Sequence, residues 1–329
     1  MRGMTDRPVR WGILATGGIA GAFVSDLKLM PDAEVVAVGS RSLESAQAFA
    51  GKHGIPRAHG TWAELAADPD VDVIYVATPH SAHFEATRVC LEAGKAVLCE
   101  KPFTLDRTRA QEMIDLARAR NVLLMEAMWT RLNPVVLKAV QLVRDGAIGE
   151  VTTVASDFGV SGPFAPEHRM RARELGGGAL LDLGVYPITI AHLFLGLPDH
   201  VRAWAKVGPE GTDENTAIIF GYDRGAVATL TCGILGTTPN SAVISGSTGR
   251  ITLHDPAFVP RALTLHRDGA EPEVIAEDYA GIGYHFEAAE IHRCLRGGLT
   301  ESPAVPHSLT LDIMGLLDEV RGQIGVSYS

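Results

Sequence analysis

The stretch that decides the fold is Val9-Arg10-Trp11-Gly12-Ile13-Leu14-Ala15-Thr16-Gly17-Gly18-Ile19-Ala20. Val9 to Leu14 is a short apolar run that ends in a turn of small residues, and Ile19 to Leu29 then reads as a helix. A strand that feeds through such a turn into a helix delivers the helix's first N–H groups to a pyrophosphate. The dinucleotide-binding fingerprint asks for small residues at three places, here Ala15, Gly17 and Ala20. Gly17 lets the backbone approach the phosphate, and Ala20 permits close packing of helix on strand. Ala15 departs from the usual first glycine. Without its context the turn is an ordinary βα connection; its place after the first strand and before the first helix makes Ala15, Thr16, Gly17, Gly18 and Ile19 cofactor-binding candidates.

Working outward, Glu34 to Val38 is the next strand, and Ser42 caps a helix running to Gly51. Val71 to Ala77 is a continuous apolar, β-branched strand of the sort buried on both faces of a parallel sheet. Ala82 to Ala93 is helical, Ala96 to Cys99 a strand, Asp106 to Arg120 a helix and Val122 to Met125 a further strand. This alternation implies right-handed βαβ units on a parallel sheet, an α/β Rossmann fold. After Trp129 the pattern changes. A helix from Pro134 to Arg144 is followed by strand-like segments joined by turns such as Asp223-Arg224-Gly225 and Ser247-Thr248-Gly249, an antiparallel pattern. Two helices, Tyr284 to Arg296 and Ser308 to Ile324, close the chain. The expected division is residues 1–128 as a nucleotide-binding domain and residues 129–329 as an α+β domain for substrate and oligomerisation.

The second strand bears on the choice of cofactor. Enzymes that use NAD place an acid about twenty residues after the turn, on the ribose 2′-hydroxyl. Here Ser40-Arg41-Ser42 stands in that region. An arginine and two hydroxyls can hydrogen-bond a 2′-phosphate that an acid would repel, so NADP is expected over NAD. The plainer alternative is a solvated arginine beside a helix cap.

Composition narrows the field. The 329 residues carry a formal net charge of -10, which repels phosphate backbones and anionic membranes. Four scattered cysteines, Cys90, Cys99, Cys232 and Cys294, make no C-x-x-C pair and no disulfide framework. Met1 to Arg10 has no apolar core of the kind a secretion signal carries, and the apolar run Ala179 to Leu197 is interrupted by Asp182, Pro187 and His192. A cytoplasmic protein is expected. His80 and His83 lack a third ligand at zinc spacing, so no metal is expected.

Two segments carry the chemistry. Cys99-Glu100-Lys101-Pro102 lies at the carboxyl end of a parallel strand, where ligands of open α/β sheets bind. Gly176-Gly177-Gly178-Ala179-Leu180-Leu181-Asp182-Leu183-Gly184-Val185-Tyr186, if helical, puts Asp182 and Tyr186 four apart on one face. On these two segments the chain resembles the family named for glucose-fructose oxidoreductase, inositol dehydrogenase and a rhizopine-catabolism protein (Gfo/Idh/MocA). Within it, Glu126-Ala127-Met128-Trp129-Thr130-Arg131, Gly176 through Tyr186, and Glu301-Ser302-Pro303 are most similar to the dimeric dihydrodiol dehydrogenase and NADP-dependent D-xylose dehydrogenase branch.

The resemblance implies a second domain on a large, mostly antiparallel open sheet, and a homodimer or larger assembly formed through it. It implies that Lys101 lies beside the nicotinamide and the substrate oxygen, that Tyr186 gives or takes the proton, and that Asp182 orients its neighbours. Thr78, Pro79, His80 and His83, at the end of the strand Val71 to Ala77, fall beside the expected nicotinamide position. The expected activity is hydride transfer to or from a CH–OH or C=O group of a sugar, polyol or cyclic diol. The chemistry is self-consistent: a tyrosine with a pKa near ~10 needs about 4 kcal/mol of help to act as a base near pH 7. A cation about 4 Å away supplies roughly that at an effective dielectric of ~20.

Other readings stay open at this point. The chain could be a dinucleotide-binding regulator, or a sugar–sugar oxidoreductase that never releases its NADP. Glu100 either braces Lys101 or is a solvated carboxylate. Trp129 and Arg131 either line the sugar site or pack the domain junction. Phe158 to Leu175, with His168, Arg169, Arg171 and Arg173, is either a lid hinged at Gly176 to Gly178 or a solvated basic stretch.

Overall fold

The computed structural model describes residues 7–328. Residues 1–6, part of the leader reading above, lie outside it. The chain forms two compact units. One comprises Met1–Trp129 and Ala280–Leu311, the other Thr130–Tyr279 and Asp312–Ser329.

The first unit is built on six parallel strands: β1 (Val9–Leu14), β2 (Ala33–Gly39), β3 (Arg57–His59), β4 (Val73–Val76), β5 (Ala96–Cys99) and β6 (Leu124–Glu126). Their order is β3-β2-β1-β4-β5-β6. The connecting helices are α1 (Gly18–Leu27), α2 (Leu43–His53), α3 (Trp62–Ala67), α4 (His83–Glu92) and α5 (Arg107–Arg120). The order runs outward from β1 to β3, then returns to β4 on the other side of β1. Right-handed crossovers therefore place helices on both faces, and a crevice opens between the carboxyl ends of β1 and β4. Trp11, Ile13, Tyr75, Val97 and Leu98 are fully buried, as strands covered on both faces require. The alternation read from the sequence is present; β3 and α3 are additional to it.

Of the later helices, α8 (His285–Arg296) lies wholly in this first unit, as does the start of α9 (His307–Ile324). A division at 128/129 assigns residues 280–311 to the second domain, whereas in the structure they pack with the first. The reason is specific pairing. Asp26 on α1 is buried and accepts the backbone N–H groups of Ile282, Gly283 and Tyr284 at 2.8–3.0 Å, capping the entry to α8. The Trp11 indole donates to His292 Nε2 at 3.0 Å. Because an indole only donates, His292 holds its proton on Nδ1 and donates that N–H to Asp32 Oδ2, 3.0 Å away.

The second unit carries α6 (Pro134–Arg144), α7 (Val185–Leu195) and eight strands. These are β7 (Val151–Gly159), β8 (His200–Val207), β9 (Asp213–Gly221), β10 (Val227–Gly233), β11 (Ala242–Gly246), β12 (Gly249–Leu253), β13 (Ala262–Arg267) and β14 (Glu273–Ala276). They are ordered β14-β13-β12-β11-β7-β10-β9-β8, with only β7 and β10 parallel. Burial alternates along β9 and β10, so one sheet face is covered, by α7 against β7, β10 and β11, and the other is open. The helical stretch Arg173–Leu195 is long and apolar enough to cross a membrane, but 83% of that window is buried inside the protein, as suits a core helix.

Candidate active site

In the first unit, the site grows from the ends of four strands. Beyond β1, Ala15 adopts φ 123° and donates its N–H to Gly39 O at 3.0 Å. Gly17 caps α1 with no side-chain hydrogen bond. A Cβ at Gly17 or Gly18 meets nothing within 4 Å, so the uncapped first turn of α1 faces open space, with Thr16 and Ile19 half-buried beside it. That is a fit for a pyrophosphate. A groove of about 660 Å³ continues between α1 and α2, lined by Thr16, Gly17, Gly18, Ser45, Lys52 and His53 among others.

Beyond β2, Ser40 Oγ accepts the Ser42 N–H at 3.4 Å, and Ser42 Oγ accepts the Ser45 N–H at 3.2 Å as the cap of α2. The Ser42 oxygen is thus occupied as an acceptor, and its hydroxyl proton remains to donate. Arg41 is exposed and makes no ion pair among the described residues. This donor set suits a phosphate monoester on the ribose.

Beyond β4, Thr78 is buried, Pro79 is exposed, and His80 begins a short 3₁₀ turn. His83 has no exposed surface to offer a ligand. Its Nδ1 lies 2.8 Å from Pro102 O and its Nε2 2.9 Å from Thr78 O. Burial draws its pKa down to about 4, so the ring is neutral at pH 7 and donates to one carbonyl at a time. Through His83 the loop after β4 is tied to the loop after β5.

That second loop carries Lys101, half-buried, on a cis Lys101–Pro102 peptide. Glu100 is not a solvated carboxylate. It is buried, with Oε1 accepting the Tyr75 hydroxyl and Oε2 the Lys101 N–H at 3.1 Å. The next N–H, from Phe103, donates to Glu126 Oε1 at 3.2 Å, and Thr310 donates to Glu126 Oε2 at 2.8 Å. Burial pushes the Glu126 carboxyl up to about 7. Glu287, on α8, is fully buried, and neither of its oxygens has a partner among the described residues. Burial, then the nearby Glu100 and Asp26, push its pKa well above the usual carboxylate range. Glu126, though it opens the segment Glu126 to Arg131, and Glu287, which carries no local motif, come near the Lys101 loop only through space, which sequence spacing does not show. Trp129 is buried and stacks on Tyr284 at 4.3 Å.

In the second unit, Leu180–Gly184 is a π-helical turn that runs into α7. The expected stacking of Asp182 over Tyr186 on one α-helical face is therefore altered, because the wider turn ends between them. Asp182 is 3% exposed, and Arg169 Nη1 sits 2.7 Å from its Oδ2. Tyr186 is buried with its ring beside a stacked pair, Phe158 (5.6 Å) and Phe258 (5.0 Å), whose own centroids are 4.4 Å apart. The basic loop is largely exposed but its arginines are paired. Arg171 bridges Glu210 and Glu214 at 2.8 and 3.2 Å, and Arg173 donates to Ser327 O at 2.7 Å. His192 lies 3.4 Å from Asp312. Among the described residues, no group of three or more His, Cys, Asp and Glu side chains is placed to hold a metal.

Known proteins match both parts of the chain. Residues 9–128 match the family model of the oxidoreductase family with an NAD-binding Rossmann fold, and residues 136–252 match the GFO/IDH/MocA C-terminal domain. Trans-1,2-dihydrobenzene-1,2-diol dehydrogenase of Bos taurus is 36% identical over 97% of this chain and 98% of its own, and that of Homo sapiens is 36% identical over the same shares. A 3-ketoreductase from Actinomadura kijaniata, solved with NADP and TDP-benzene, superposes with a TM-score of 0.85 at 29% identity, over 97% of this chain and 98% of that one. The nucleotide crevice, the Lys101 loop and the two matching domain models lead to one assignment: the chain belongs to the Gfo/Idh/MocA family and is an NAD(P)-dependent dehydrogenase or reductase.

Proposed function

We propose that this enzyme uses NADP(H) to oxidise or reduce a CH–OH/C=O group on a sugar, polyol or cyclic diol, with Tyr186 as the acid–base residue. The observation that carries the reading is the setting of Tyr186: a buried phenol directly after a π turn whose Asp182 is paired with Arg169. Such turns often mark functional sites. The aromatic flank of Phe158 and Phe258 suits the C–H face of a ring, and the dihydrodiol dehydrogenase relatives act, by name, on a cyclic diol.

The nicotinamide supplies the hydride acceptor or donor when bound. Lys101 lowers the cost of charge on the substrate oxygen, and Tyr186 takes or returns that oxygen's proton. Glu100 fixes the Lys101 peptide from behind. Arg41, Ser40 and Ser42 favour the 2′-phosphate, and the turn from Ala15 to Ile19 holds the pyrophosphate. A reducing, cytosolic setting suits four cysteines that are all free and buried. A second copy of the chain covers the open sheet face in this reading.

Kinetics in both directions test the proposal, with NADP or NAD against trans-1,2-dihydrobenzene-1,2-diol, D-xylose and inositols. Turnover with a preference for NADP is expected. Lys101→Ala and Tyr186→Phe should each lower kcat by orders of magnitude while NADP binding stays within severalfold. Full activity in either variant refutes the roles, and a clear NAD preference refutes the phosphate reading.

A further inference from the structure

We propose that Tyr328, acting with Asp213, is a positioning residue for the π turn that carries Asp182. This rests on the reading of Asp182 and Tyr186 as working side chains. Three consecutive glycines ahead of a helix resemble a swivel, yet here they are enclosed. A Cβ on Gly177 would lie 2.8–2.9 Å from the backbone of Arg171, Ala172 and Arg169. Gly178 adopts φ 116°, and its Cβ would lie 2.4 Å from Asp213 Oδ1 and 3.0 Å from the Tyr328 hydroxyl. No other residue type fits that space or that backbone conformation without a shift.

Two side chains from distant parts of the chain hold the backbone before and after Gly178, at Gly177 and at Leu180. The Tyr328 hydroxyl donates to Gly177 O at 2.5 Å. Asp213 Oδ2 accepts the Leu180 N–H at 2.7 Å, and Thr216 donates to the same oxygen at 2.7 Å. These two bonds, three residues apart, restrain the backbone that carries Gly178. The Asp182 N–H then reaches back to Gly178 O at 3.4 Å, so the position of Asp182 follows from that of Gly178.

Tyr328 is itself seated. Arg173 Nε holds the neighbouring Ser327 carbonyl at 2.7 Å, and the Arg321 guanidinium lies 5.3 Å from the Tyr328 ring centre. Burial raises the Tyr328 pKa, so its hydroxyl remains a donor at working pH. The segment after α9 thus clasps both ends of the turn from Arg173 to Gly178. A helix whose first turn is set by side chains outside it holds a catalytic group more tightly than its own hydrogen bonds do.

Tyr328→Phe, which deletes one oxygen, tests the lock through two readouts. The first is steady-state kinetics with trans-1,2-dihydrobenzene-1,2-diol and D-xylose. A fall in kcat of about tenfold is expected, with KM for NADP unchanged within twofold, because the cofactor is held by the other unit. The second is amide hydrogen exchange, which should rise at least tenfold in residues 177–184 and stay level in β8 to β14. Asp213→Asn keeps an acceptor for the Leu180 N–H and should retain most of the activity that Asp213→Leu loses. Wild-type kcat with unchanged exchange at 177–184 overturns the proposal. If Tyr328→Phe fails to fold, Arg173→Gln loosens the same clasp at an exposed side chain and is judged by the same two readouts, with smaller changes expected. If the wild-type enzyme turns over none of these substrates, the functional reading fails, and exchange still decides the lock.

Discussion

Ala15 stands where the dinucleotide fingerprint has its first glycine, and its φ of 123° is a region that residues with a side chain rarely occupy. Such strain costs on the order of 1–3 kcal/mol and persists only where the surroundings enforce it. Ala15→Gly removes the strain but adds about 0.5–1 kcal/mol of chain entropy to be lost on folding. A net gain of about 1 kcal/mol is expected, read as a Tm higher by a few degrees in calorimetry. A Tm at or below wild type would show that Ala15 rests there without strain. The departure from glycine was plain in the sequence; its energetic meaning needed the torsion angle. Lys101 shows the same divide. Glu100-Lys101-Pro102 is contiguous and legible, while Glu126 and Glu287 meet that loop only after β6 and α8 have folded against it.

Among the elements, those with a strong period were readable and those without one were not. The apolar strands β1, β4 and β5 and the helices α1, α2 and α4 announce themselves by composition and alternation. β3 and α3 are 3 and 6 residues long, too short to show a period. The run Ala179 to Leu197 is apolar on every side, so nothing in it marks where a π turn gives way to an α-helix. α8 was legible as a helix but not as part of the first unit, because periodicity does not name a partner. Its partner is Asp26, whose carboxylate caps the helix entry from α1. Asp26→Ala leaves two buried backbone N–H groups, of Gly283 and Tyr284, and the part-buried one of Ile282 without an acceptor, at roughly 1–3 kcal/mol for the first and less for each that finds water. A loss of about 3 kcal/mol is expected in urea unfolding, with Asp26→Asn intermediate. Wild-type stability for Asp26→Ala would mean that α8 is held elsewhere.

At the scale of the whole molecule, the open face of the eight-stranded sheet presents Trp204, 70% exposed, and Ile219, 52% exposed, on adjacent strands. Large apolar side chains grouped on a flat sheet face mark an interaction surface. If the proposed homodimer forms through this face, Trp204→Glu with Ile219→Lys should leave a 35.0 kDa monomer in light scattering. A wild-type protein that is already monomeric would refute a self-association role for this face. The return of residues 280–311 to the first unit has a consequence for biosynthesis. Trp11 leaves the ribosome 281 residues before His292, the partner of its indole. Asp26 precedes the amides it caps by 256 to 258 residues. Translation therefore delivers the whole eight-stranded sheet before the nucleotide-binding core can close. A nascent chain halted after Trp129 lacks the partners of both the Asp26 carboxylate and the Trp11 indole, so residues 280–311 complete the first unit.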